Sequence, residues 1–298
     1  MIIMSLIIAY TPVNIAFSAI FHPFSRILGI CKTLTSPILL GNLAGFVTGP
    51  KLICEISSYN SDKNEFSKAI ILSANAGIGF VISFVGTMLW NDIYFGIFLY
   101  VTQFLTSVLV SKIIFLGHHT NINQKYKIKN STFFSSFSKS VSSSTKSIIL
   151  VCAYTILFSA IITLVFRLTK INQSSILGVI ISSFCDVSLG TKASLGLNAT
   201  EASAFFTGFS VGFGGLCVMF QIFAICDGYP LSKLKFIISK ALQGIICGIF
   251  STIYSLVFTL NSSTTTAIVS GNISHNSLFF IALFIFSIIN IMKNKFKC

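Results

Sequence analysis

Residues 69–110 read AIILSANAGIGFVISFVGTMLWNDIYFGIFLYVTQFLTSVLV, and the stretch carries a single charged side chain, Asp92. A hydrocarbon layer about 30 Å thick is crossed by roughly 20 apolar residues in a helix. The stretch therefore reads as two membrane spans, Ala69 to Trp90 and Ile93 to Val110, joined by the minimal turn Asn91-Asp92.

The rest of the chain has the same character. Of 298 residues 54% are hydrophobic and 9% charged, with a mean hydropathy of +0.88. An ordinary soluble domain of this length is excluded. Uncharged runs at Met1–Phe21, Ser147–Phe166, Ala202–Cys226, Ala241–Leu260 and the shorter Leu278–Met292 complete an all-α integral membrane protein of about seven transmembrane helices. Two further apolar stretches, residues 27–50 and 175–189, are interrupted by Gly, Pro, Ser or Thr and read as broken or re-entrant helical hairpins. Met1–Phe21 has no basic leader and no small-residue cleavage pattern, so it reads as a retained helix. The eight cysteines form no C-x-x-C pair and read as packing residues.

A net charge of +13 does not point to nucleic acid, because the lysines fall between apolar segments without aromatic-basic motifs. They read as cytoplasmic loop charge. The loop Gly117–Lys146 holds Lys125, Lys127, Lys129, Lys139 and Lys146 and no acidic residue, which places it inside the cell. It divides the chain into a first membrane half, residues 1–116, and a second, residues 147–298. Its Ser-rich part, Ser131–Thr145, reads as lying along the membrane surface with Phe133, Phe134 and Phe137 inserted. If residues 175–189 re-enter instead of crossing, Lys233, Lys235, Lys240 and the C-terminal Lys293, Lys295 and Lys297 share that cytoplasmic side, as the charge rule prefers.

The two halves then run hairpin, helix, helix from opposite faces, the inverted-repeat plan of many secondary transporters. Gly49-Pro50-Lys51 closes the first broken stretch and Gly190-Thr191-Lys192 the second. Gly45, Thr48 and Gly49 flank or adjoin Pro50 where no regular helix survives, so they are candidates to line a solute path. Gly77, Gly79, Gly212, Gly214 and Gly215 read as close-packing positions. Asp186 is the one acidic residue well inside an apolar segment; it reads as the site of a coupling cation or proton, or as a hairpin-tip carboxylate paired with Lys192. Asn75 and Gln221 can each donate and accept hydrogen bonds, which suits a small polar solute and equally suits bonds between helices. Lys51 reads as interfacial, with Glu55 one turn away. His22, His118, His119 and His275 have no ligand-spaced partners and there is no P-loop, so no enzyme, metal or cofactor is expected.

The run Ala44-Gly45-Phe46-Val47-Thr48-Gly49-Pro50-Lys51-Leu52-Ile53-Cys54-Glu55 resembles the small-Gly-aromatic-Pro-x-Gly-small-Lys-x-x-x-Glu motif of the YlbJ-like sporulation integral membrane proteins, within the nucleoside-recognition or Gate domain group. Asn75 resembles that family's Asn after the motif, and Asp186 with Gly190 its acidic-x-x-x-Gly element, so Gly190 joins Gly45, Thr48, Gly49, Asn75, Asp186 and Gln221 as a candidate solute-binding residue. Phe213-Gly214-Gly215-Leu216-Cys217-Val218-Met219-Phe220-Gln221 resembles its Phe-Gly-Gly-Leu-x-Val-x-x-Gln signature. Val47, Pro50 and Met219 depart from the usual Pro, small residue and His. The resemblance covers about residues 22–258. It implies a transporter- or channel-like protein of spore envelope or cortex formation that moves a small polar solute, with nucleoside-like compounds among the candidates. The alternative is a non-transporting, membrane-embedded structural subunit of a spore-envelope assembly. Oligomeric state is left open.

The topology is open to direct test. In intact cells an impermeant maleimide should leave both Cys298 and a cysteine introduced as Lys127→Cys unmodified, and should label them only after permeabilisation. Labelling of either from outside would overturn the two-hairpin arrangement.

Overall fold

The computed structural model describes residues 24–25, 28–57, 62–116 and 133–258. The elements among them are all helices: α1 (Lys32–Ala44), α2 (Thr48–Ile56), α3 (Lys63–Ser73), a π-helix (Gly79–Leu89), α4 (Ile93–Ile114), α5 (Phe133–Thr169), α6 (Ile176–Cys185), α7 (Val187–Ser194), α8 (Thr200–Phe213), α9 (Gly215–Ile225) and α10 (Lys233–Val257). Four lengths are long and apolar enough to cross a membrane: Ile93–Ile114, Phe134–Thr169, Thr200–Ile225 and Lys233–Val257. The third contains the break at Gly214 between α8 and α9.

The polarity of these helices is that of a protein dissolved in lipid. On α4 the exposed residues Ile97, Val101, Leu105, Leu109 and Ile113 recur every fourth position, while Thr102, Gln103, Thr106 and Ser107 are buried. On α10 Leu242, Ile245, Ile249 and Ile253 face out while Lys240, Gln243 and Ser251 face in. Water would penalise such an exterior, whereas hydrocarbon does not, and polar groups in lipid must find partners inside.

Several sequence expectations need correction. Ala69–Trp90 is not a single span. Helix α3 stops at Ser73 and the chain resumes helical form only at Gly79. A Cβ on Gly77 would stand 3.0 Å from the backbone of Ala44 and Gly45, so the break is where two backbones touch. The Ser-rich residues 133–146 are not a separate surface segment either; they are helical and continuous with the following span. Serine tolerates that position because its hydroxyl can bond its own helix, as Ser140 Oγ does to Ser136 O at 2.6 Å. The expected spans Met1–Phe21 and Leu278–Met292, residues 117–132 and the C-terminal lysines lie outside the described residues.

Capping explains several helix starts. Asp62 accepts from Glu65 N at 2.8 Å to open α3, and Asp92 accepts from Tyr94 N and Phe95 N at 2.8 and 3.1 Å to open α4. Glu65 also accepts Cys31 N at 3.1 Å, placing a buried carboxylate at the start of α1. Gly45, with φ +113°, ends α1.

One order of elements occurs twice. Two short helices fold back on each other (α1 and α2; α6 and α7), then comes an interrupted helix (α3 and the π-helix; α8 and α9), then a long one (α4; α10). Individual contacts recur too. A Cβ on Gly49 would meet Gly41 and Ser73, and one on Gly190 would meet Ser183 and Ser210. In both cases the second short helix rests on the first and on the interrupted helix. The densest helix packing lies within the second half: Gly208 and Gly212 of α8 lie against Ser251 and Cys247 of α10, while Gly244 and Gly248 lie against Phe209 and Phe205. Small residues at i and i+4 on both helices permit this approach.

Gly49→Ala should destabilise the protein by about 1–3 kcal/mol, because its Cβ would sit 2.6 Å from Ser73 Cβ. Gly79→Ala meets nothing within 4 Å and should be neutral or slightly stabilising. Thermal midpoints of the detergent-solubilised variants check both; equal loss in the two would refute the packing assignment.

Candidate functional site

Four interruptions of helical backbone meet one another. They are Gly45–Val47 between α1 and α2, Ala74–Ile78 before the π-helix, Asp186 between α6 and α7, and Gly214 between α8 and α9. Gly77 abuts Ala44 and Gly45; Gly214 leaves room for the Phe46 ring, whose Cε1 would stand 3.0 Å from an added Cβ; Gly215 abuts Asp186, whose Cα would stand 2.9 Å away. Gly214 and Gly215 take φ of +83° and +82°, which few other residues adopt without strain.

Each interruption frees backbone groups that a bilayer cannot solvate. Side chains serve them. At the end of α3, Leu72 O accepts from Asn42 Nδ2 at 2.9 Å and Asn75 Nδ2 at 3.1 Å, Ala74 O accepts from Lys240 Nζ, and Ala76 O accepts from Gln103 Nε2 at 2.7 Å. Asn75 is the hub. Its Nδ2 also donates to Asn42 Oδ1 at 2.8 Å and Ser107 Oγ at 3.3 Å, and its Oδ1 accepts from Lys240 Nζ at 3.1 Å and Gln243 Nε2 at 2.8 Å. Gln243 donates further to Gln103 O at 2.8 Å and its Oε1 accepts from Lys240 Nζ at 2.9 Å. Asn42, Asn75, Gln103, Lys240 and Gln243 are all buried. Gln103 Oε1 is itself buried without a hydrogen-bond partner. Gln103 and Gln243 stand the same number of residues from the starts of α4 and α10, so the two halves present like carboxamides to the centre.

The residues singled out by sequence fall into three groups. Gly45 and Asn75 lie in the central interruptions. Asp186 lies there too, but its carboxylate caps α7, with Oδ1 accepting from Ser188 N and Leu189 N at 2.8 and 3.0 Å. Lys192 Nζ lies over the Phe84 ring, 5.6 Å from its centroid. Thr48, Gly49 and Gly190 are buried, and the two glycines are helix-packing positions whose added Cβ atoms would strike neighbouring residues. Gln221 is buried and donates to Cys217 Sγ at 3.2 Å, away from the carboxamide cluster's own bonds. Lys51 donates to Ser143 O and Ser147 Oγ of α5, and Glu55 Oε1 accepts from Ser143 Oγ at 3.3 Å, so both tie α2 to α5.

The largest correction concerns Lys240. Its charge reads in the sequence as loop charge, yet it lies two turns inside α10 with 1% of its surface exposed. The signal was present: Lys240 and Gln243, like Gln103, Thr106 and Ser107, fall at helical spacing on one face of an otherwise apolar run. Away from the centre, a polar cavity of about 260 Å³ lies between α5 and the α6–α7 hairpin, lined in part by Ser159, Thr163, Gln173, Ser182 and Lys192. Comparison with family models, curated proteins and solved structures gives no match for this chain.

The hydrogen-bond pattern ranks the polar residues. Asn75→Leu takes an acceptor from both Lys240 and Gln243 and a donor from Asn42 Oδ1 and should cost about 3 kcal/mol, whereas Gln221→Leu should cost about 1 kcal/mol or less. Thermal midpoints of the purified variants would decide, and equal losses would show that Asn75 is not the hub.

Proposed function

We propose that the chain is a multi-pass cell-membrane protein that moves a small polar solute, as a transporter or channel, in spore-envelope or cortex formation. The observation that carries this reading is the meeting of four helix interruptions at a centre furnished with carboxamides from α1, the α3 break, α4 and α10. Backbone ends freed by the interruptions and the neutral amides that serve them could exchange hydrogen bonds with a nucleobase or sugar in place of one another. The recurrent order of elements supports an inverted repeat with re-entrant hairpins, residues 117–146 and the C-terminus being cytoplasmic. The motif resemblances at residues 44–55 and 213–221 supply the sporulation context.

In this reading Asp186 binds a coupling cation or proton. It sits in an interruption, buried, next to Gly215, and its cap bonds use one carboxylate oxygen. The alternative, a structural subunit of an envelope assembly, is favoured by one feature: the central carboxamides are bonded to each other and to backbone in a closed packing.

Asp186→Asn separates the two. Asparagine keeps the cap and the shape, so membrane abundance should hold. Transport should fail, lowering sporulation efficiency at least tenfold and depleting from dormant spores the same small molecule that is missing when the whole gene is deleted. Full sporulation with an unchanged small-molecule content would favour the structural subunit.

A further inference from the structure

Lys240 presents an arrangement that the solute path does not require. Its ammonium donates to three oxygens: Ala74 O, Asn75 Oδ1 at 3.1 Å and Gln243 Oε1 at 2.9 Å. All three are neutral. Ala74 is the C-cap of α3, so its carbonyl stands at the negative end of an interrupted helix. The Phe46 ring closes another side, with its centroid 5.9 Å from Nζ. A backbone carbonyl at the end of a half-helix, two carboxamide oxygens and an aromatic face form a cage for a monovalent cation. A lysine placed only for packing would need no such convergence, since a methionine fills the same volume without a charge to bury.

We propose that Lys240 is a tethered cation: its ammonium occupies a built site for an alkali-metal ion at the end of α3, so that site, which is separate from Asp186, carries its own positive charge and takes no cation from solution. The proposal rests on the cage and stands whether or not the chain moves a solute. It follows that removing the side chain, while leaving the oxygens, should create a metal-ion site that the natural protein lacks.

The test uses the full chain purified in detergent, with sodium chloride exchanged for choline chloride at constant ionic strength. Lys240→Ala should gain about 5 °C in thermal midpoint in sodium, by the stabilisation that any ligand of the folded state confers. The natural protein and Lys240→Met, whose side chain still fills the cage, should respond alike to within about 1 °C, any response they share belonging to Asp186, and Lys240→Ala should exceed both. Should Lys240→Ala be recoverable as folded protein only when cells are broken in sodium, that is the same positive result. The proposal is overturned if the natural protein responds to sodium as strongly as Lys240→Ala. It is equally overturned if neither Lys240→Ala nor Lys240→Ser responds to lithium, sodium or potassium.

Discussion

A helix interrupted in hydrocarbon leaves carbonyl and amide groups with no water to bind, and each such group costs several kcal/mol if left alone. Among the described residues four helix interruptions meet at one place, and the buried polar side chains around them are answers to that cost. Asn42, Asn75 and Gln103 reach the carbonyls released at the end of α3, and Lys240 supplies the last of them from α10. Remove that requirement and the buried amides of α4 and α10 would have no reason to be there. The exterior follows from the same solvent: α4 and α10 turn rows of Ile, Leu and Val outward because nothing polar is needed there.

Close approach is the second condition. Breaks can serve one another only if backbones come within contact distance, and glycine at 49, 77, 190, 214 and 215 makes that possible. The paired glycines of α8 and α10 do the same for the long helices. The recurrence of a Gly-on-Ser contact in both halves, Gly49 on Ser73 and Gly190 on Ser210, shows one packing solution used twice. The halves are alike in plan and unlike in charge: Lys240 lies in the second, and the position at the same distance along α4 is Tyr100, whose hydroxyl donates to Asn42 O at 3.3 Å.

Much of the plan was legible in the letters. Charge-free runs give the helical membrane class, and Gly, Pro and Ser inside residues 27–50 and 175–189 mark where helices break. Gly45 and Asp186 fall in those stretches, whereas Asn75 stood out only as a carboxamide inside an apolar run. The break at Ala74–Ile78 was not legible, because an apolar count treats Ala, Gly and Ile alike and is blind to a backbone contact with Gly45. Lys240 was misread because a lysine near the end of an apolar run is ordinarily interfacial. Only the arrival of Ala74 and Asn75 from the α3 break, beside Gln243 of its own helix, shows what holds it. Gly49 and Gly190 resembled binding positions, and their surroundings are those of helix contacts; spacing alone cannot tell an exposed glycine from a crowded one.

The bond from Lys240 to Ala74 joins residues 166 positions apart in the chain, and the ribosome makes them far apart in time. When α1, α2, α3 and the π-helix leave the insertion machinery, the group that will satisfy Ala74 has not been synthesised. Each of these segments is shorter than a bilayer is thick. These four segments must therefore wait beside the translocon or at the membrane surface until α8 and α10 arrive. Assembly of the centre is a late event in biogenesis, and a chain stalled before α10 would expose to the quality-control proteases of the membrane the ends that the finished protein conceals.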